Sequence, residues 1–129
     1  MTVPAGFDDL SVLVVDDDEI MRMVICRMLR RLHVGGVAEA DGAEEALDRI
    51  KHTPDAFDLV ICDWNMPGMT GMDLFTRVQA IAPGLPFLMV TGRADADSMD
   101  AAKAAGVPGY IVKPTSTQEL KAKITSLVA

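Results

Sequence analysis

A chain of 129 residues, 50% of them hydrophobic, is long enough to bury one real core and too short to build two. Its formal net charge of −7 argues against binding nucleic acid through the phosphates, which an acidic surface repels, and leaves proteins and cations as the expected partners. Uninterrupted apolar runs span only a handful of residues, as over 12–15 and 59–62, far short of the roughly 20 that a membrane span needs, so no membrane association is expected.

Taken in chain order, residues 1–7 carry neither a basic stretch nor a long apolar one and do not read as a signal peptide. Residues 11–15 form a valine-rich run expected as a strand, and Met21, Ile25, Met28 and Leu32 then recur at helical spacing. A weaker strand, opening on glycine, is expected over 36–39. The helical set Ala43, Ala46, Leu47 and Ile50 follows it, with Asp41 three residues before Glu44 as a capping pair. A third strand over 59–62 leads to the stripe Leu74, Val78 and Ile81, and a fourth strand is expected over 86–90. The segment 95–105, which opens on Asp95 and closes on Ala105, is rich in alanine but poor in large apolar side chains. A helix held down by little packing is expected there, the candidate mobile element. A fifth strand over 109–112 precedes a last helix that buries Leu120, Ile124 and Leu127, with Ser116 and Glu119 as a second capping pair.

Strands alternating with helices are the signature of an α/β fold, a doubly wound, five-stranded parallel sheet with helices on both faces. One domain over 1–129 is expected, with no output domain. Cys26 and Cys62 fall inside apolar runs without metal or redox spacing and read as small buried hydrophobes, which suits a reducing cytoplasm. The nine methionines read as core filler, and His33 and His52 are assigned no role.

In an open parallel sheet the carboxyl ends of the strands face one crevice, so the residues that follow each strand carry the chemistry. These are Asp16, Asp17, Asp18 and Glu19 after the first, Asp63, Trp64 and Asn65 after the third, Thr91 and Gly92 after the fourth, and Lys113 and Pro114 after the fifth. Four acids at a helix start also read as a solvated turn favoured by the positive end of the helix. That reading weakens once Asp63 joins them, because converging carboxylates repel unless a cation lies between. Hard oxygen donors with no Cys or His at these ends point to Mg2+. Such a site leaves one carboxylate free as a nucleophile toward a phosphoryl group, and Asp63, at the tip of an apolar strand before the turn-forming Pro67 and Gly68, is the best placed. Lys113 and Thr91 supply an ammonium and a hydroxyl for the transferring oxygens. Trp64 reads equally as a packing residue or as a reporter of metal binding.

The runs Val12-Leu13-Val14-Val15-Asp16-Asp17, Cys62-Asp63-Trp64-Asn65-Met66-Pro67, Leu88-Met89-Val90-Thr91 and Gly109-Tyr110-Ile111-Val112-Lys113-Pro114 resemble, in order and spacing, the response-regulator receiver domain of the stand-alone, CheY-like type. The resemblance implies a flavodoxin-like sheet of order 2-1-3-4-5 with five helices. It also implies a phosphorylation site at Asp63 and Mg2+ held by Asp17 and Asp63, by Asp16 through water and by the carbonyl of Asn65. By the same resemblance Thr91 and Tyr110 are a switch pair, Lys113 binds the phosphoryl group, and its bond to Pro114 is cis. A histidine kinase or phosphotransfer protein is the implied donor, with a downstream protein met through the 95–105 helix and the Tyr110 face. Thr115 departs from the phenylalanine that close relatives often carry after the Lys-Pro pair, and Arg93 stands where it can pair with acids or screen the phosphoryl group.

Two rival readings stand at this point. A flavodoxin-like cofactor binder needs backbone donors or hydroxyls after the first strand, where this chain has acids, and no G-x-G-x-x-G or G-K-[ST] loop exists. A receiver-shaped interaction module that is never phosphorylated stays open.

Overall fold

The computed structural model describes residues 7–92, 96–113 and 115–128. The chain alternates as β1 (Ser11–Val15), α1 (Glu19–Arg31), β2 (Gly36–Ala40), α2 (Ala43–His52), β3 (Leu59–Cys62), α3 (Gly71–Ile81), β4 (Phe87–Thr91), α4 (Ala96–Ala105), β5 (Gly109–Val112) and α5 (Thr117–Val128). The strands form one parallel sheet in the order β2-β1-β3-β4-β5, the flavodoxin-like arrangement that the receiver resemblance implies.

Both faces of that sheet are covered, which is why its strands read as continuous apolar runs rather than as alternating ones. Val12 and Val14 of β1 join Ile25 and Leu29 of α1 and Leu120 and Ile124 of α5 in one core. Leu13 and Val15 point the other way, into a core shared with Ala46 and Ile50 of α2 and Leu74 and Val78 of α3. Phe87 of β4, fully buried, meets Phe75 edge to face with ring centroids 5.2 Å apart.

Helix ends depart from expectation in instructive ways. The Asp41–Glu44 pair does not cap α2. The N-cap is Gly42, whose extended backbone lacks a capping side chain, and Glu45 accepts instead from the Asp41 N–H at 3.0 Å, one residue out of step. Ser116 accepts from the Glu119 N–H at 3.1 Å as expected, but the Glu119 carboxylate turns to the Thr115 hydroxyl at 2.9 Å. A complete capping box stands at Thr70 and Asp73. His33 takes a left-handed φ of 63° and closes α1, so that the Val34 N–H reaches back to the Leu29 carbonyl. Ile81, expected in the buried stripe of α3, is 39% exposed because the helix ends there.

Strand β2 runs one residue further than expected, to Ala40, and β4 runs one later, from Phe87 to Thr91. Pro86 has no N–H to give the ladder, although its carbonyl still accepts from Val60 at 3.0 Å. Helix α4 is as sparsely packed as its composition implies: among its described side chains only Ser98 and Ala102 are buried.

Candidate functional site

Register brings the residues that follow β1, β3 and β5 to one edge of the sheet. Val15 lies opposite both Ala40 and Cys62, and Thr91 lies opposite Val112, so the strand ends are level along the carboxyl edge. The ladder runs one residue past the strands: the Asp16 N–H donates to Ala40, the Asp63 N–H to Val15 and the Lys113 N–H to Thr91, at 3.2, 3.0 and 2.7 Å. Asp16 and Asp63 are therefore held by backbone bonds beside one another, at the point where the connections from β1 and β3 depart to opposite faces.

One carboxylate oxygen from each of Asp16, Asp17 and Asp63 lies within 4.8 Å of the others. Asp16 is buried, Asp63 is half-buried and Asp17 is exposed, so the cluster opens to solvent on one side. The Lys113 ammonium stands 3.3 Å from Asp16 Oδ2 and 3.6 Å from Asp63 Oδ1. Three carboxylates against one ammonium leave a surplus of negative charge, and an all-oxygen donor set suits a hard divalent ion, so the residues present fit Mg2+. Burial pushes the Asp63 carboxyl above its ordinary pKa; the Lys113 ammonium pulls it back, Asp16 raises it, and the backbone N–H groups of Trp64 and Asn65 hold it down.

Asp18 has a different task from its neighbours. Its carboxylate accepts from the Ile20 and Met21 N–H groups and caps α1, while its own N–H donates to Asp16 Oδ1 at 2.9 Å. Asn65 is exposed on the turn after Asp63, and Thr91 is fully buried at the end of β4. Tyr110 is half-buried on β5 and meets Trp64 edge to face, centroids 6.1 Å apart. Both cysteine side chains are buried, and burial raises the Cys62 thiol pKa strongly. Arg93, Asp95 and the Lys113–Pro114 bond lie outside the described residues.

Sequence reasoning missed three residues beside the site. Gly71 closes the 63–70 turn by donating its N–H to the Trp64 carbonyl at 2.9 Å, and a Cβ there would strike the Asp63 carbonyl oxygen. A glycine directly after Thr70 and two residues before Asp73, at the start of the helical stripe, was the available signal. Arg22 donates Nη1–H to the Asp16 carbonyl at 2.7 Å and Nε–H to Glu39 Oε1 at 3.0 Å. No local pattern links two residues 17 positions apart on different elements.

The family model for the response regulator receiver domain matches residues 12–125. The chain belongs to that family. It is 45% identical over 120 residues to the chemotaxis protein CheY of Pseudomonas aeruginosa, covering 92% of this chain and 95% of that one. Chemotaxis protein CheY-3 of Vibrio cholerae is 40% identical over 121 residues, covering 92% of each. The crystal structure of a response regulator receiver domain protein from Clostridium thermocellum superposes with a TM-score of 0.85 at 28% identity, over 92% of this chain and 94% of that one. Receiver domains typically bind Mg2+ in an acidic pocket and are generally not classical enzymes. Among the described residues of this receiver no helix is long and apolar enough to cross a membrane.

Proposed function

We propose that residues 1–129 work as a single-domain cytoplasmic response regulator, phosphorylated on Asp63 by a histidine kinase or phosphotransfer protein. The convergence of Asp16, Asp17 and Asp63 around the Lys113 ammonium carries the reading. Bound by Asp17, Asp63 and the Asn65 carbonyl, with Asp16 acting through water, Mg2+ would neutralise the charge on the phosphoryl oxygens. An Asp63 oxygen attacks phosphorus, the P–N bond of the donor phosphohistidine breaks, and its electron pair returns to the imidazole. Lys113 moves from the free carboxylate to a phosphoryl oxygen, and the buried Thr91 hydroxyl meets another. Water later attacks phosphorus, the P–O bond to Asp63 breaks, and inorganic phosphate leaves with the carboxylate restored, so the chain turns over only its own phosphoryl group.

The added charge of about −2 draws Thr91 toward the site and lets the Tyr110 ring turn inward behind it. Helix α4, with only the small Ser98 and Ala102 buried among its described side chains, has little packing to oppose a shift. Its face beside Tyr110 is where a downstream protein reads the state, and the chemotaxis names of the Pseudomonas and Vibrio relatives make motility the first pathway to examine.

Incubation with Mg2+ and a small phosphodonor, followed by intact-mass measurement, tests the reading. Wild type gains one phosphoryl group and Asp63→Asn gains none. No gain in wild type, or an equal gain in the variant, favours the interaction module instead.

A further inference from the structure

We propose that Arg22 and Glu39 are a positioning pair that sets the affinity of the Asp16, Asp17 and Asp63 cluster for a divalent cation. The inference rests on the Mg2+ reading above and extends it to residues outside the cluster.

Each polar group of Asp16 has a partner. Its N–H donates to Ala40, one carboxylate oxygen accepts from the Asp18 N–H and the other faces Lys113. The carbonyl is held by Arg22. That carbonyl belongs to the peptide plane that also carries the Asp17 N–H, so a guanidinium gripping it governs the course of the chain into Asp17, the exposed member of the trio. Arg22 is itself fixed at its other edge by Glu39 at the tip of β2, and its side chain is only 14% exposed. The planar fork spans loop and strand at once, which a lysine ammonium acting as a point donor cannot reproduce.

Two effects of opposite sign separate positioning from simple charge. A positive group near the cluster opposes a dication, so on charge alone Arg22→Met should tighten Mg2+ binding. Loss of an orienting partner behind a metal ligand weakens binding, typically by about 10–100-fold. Positioning therefore predicts the reverse of charge.

The test is Mg2+ titration of the full chain, read by the emission of its single tryptophan, Trp64, and by calorimetry, at a temperature where circular dichroism shows each variant folded. Arg22→Met should bind about tenfold or more weakly than wild type. Arg22→Lys should also bind more weakly despite keeping the charge, and the weakening in Glu39→Gln should persist at high salt, where a pure charge effect is screened. If Arg22→Met does not fold, Arg22→Lys carries the test, and it must bind less tightly although its charge is kept. Binding by Arg22→Met as tight as wild type or tighter, or wild-type affinity in Arg22→Lys, overturns the inference while leaving the phosphorylation reading intact. A wild-type chain that binds no Mg2+ overturns both.

Discussion

Replacing Asp63 with asparagine should stabilise the protein when Mg2+ is absent, although the same change removes the proposed phosphorylation site. The oxygens of Asp16, Asp17 and Asp63 lie within 4.8 Å of one another, so each repulsion is about 3.5 kcal/mol or more at an effective dielectric of about 20. The Lys113 ammonium, 3.6 Å from Asp63, returns about 4.6 kcal/mol on the same scale. Burial of the Asp63 carboxylate, the largest cause of its raised pKa, adds to these repulsions, and together they outweigh the one attraction. With solvent screening of the exposed Asp17, removal of the Asp63 charge nets about 1–2 kcal/mol in favour of the folded state. For a domain of this size that corresponds to a rise in melting temperature of about 4–7 °C.

The effect has a defined pH dependence. Because the Asp63 pKa is raised in the fold, the native state keeps a proton in a window above the ordinary Asp value where the unfolded chain has lost it. Wild-type stability therefore falls as pH rises through that window. The advantage of the variant is largest at neutral pH and closes as pH drops into the ordinary carboxylate range. Urea unfolding in EDTA at low salt, followed by circular dichroism, measures it directly. Mg2+ at a hundredfold excess over its dissociation constant should then stabilise wild type by about 2.7 kcal/mol and the variant by less. A variant less stable than wild type in EDTA, or an equal response of the two to Mg2+, refutes the reasoning.

Lys113→Met should act in the opposite direction, costing about 2 kcal/mol without Mg2+ because it leaves the buried Asp16 carboxylate uncompensated. Thermal melts with and without Mg2+ check this, and the loss should shrink when the dication is present. Gly71→Ala should cost about 1–3 kcal/mol, since the new Cβ meets the Asp63 carbonyl and the Trp64 Cα, both backbone atoms that cannot swing aside as the Met89 side chain can. Its signature is a lower urea midpoint at unchanged m-value, together with a shifted Trp64 emission.

Much of this molecule was legible before any coordinate was known. Val12, Leu13, Val14 and Val15 announce a strand buried on both faces, because helices cover each side and no polar residue interrupts the run. The acids after β1 and β3 and the lysine after β5 announce a shared crevice by topology alone. Finer features were less accessible. Whether Asp41 or Gly42 caps α2 turns on a shift of one residue, and local bonds of nearly equal worth compete for it. Ile81 has the right spacing for the core but sits on the final turn, where the apolar stripe runs out of partners.

By itself the sequence determined the five-fold alternation of strand and helix, the identity of the acidic and basic groups, and their assignment to strand ends, since these follow from local periodicity and from the rule that parallel strands finish at one edge. Only the tertiary structure decided that Asp16 is buried while Asp17 is open, that Lys113 stands between Asp16 and Asp63, and that Arg22 reaches from α1 to the Asp16 carbonyl and Glu39. Those contacts join residues far apart in the chain, and they exist because strand register and helix packing, not neighbouring residues, set their distances.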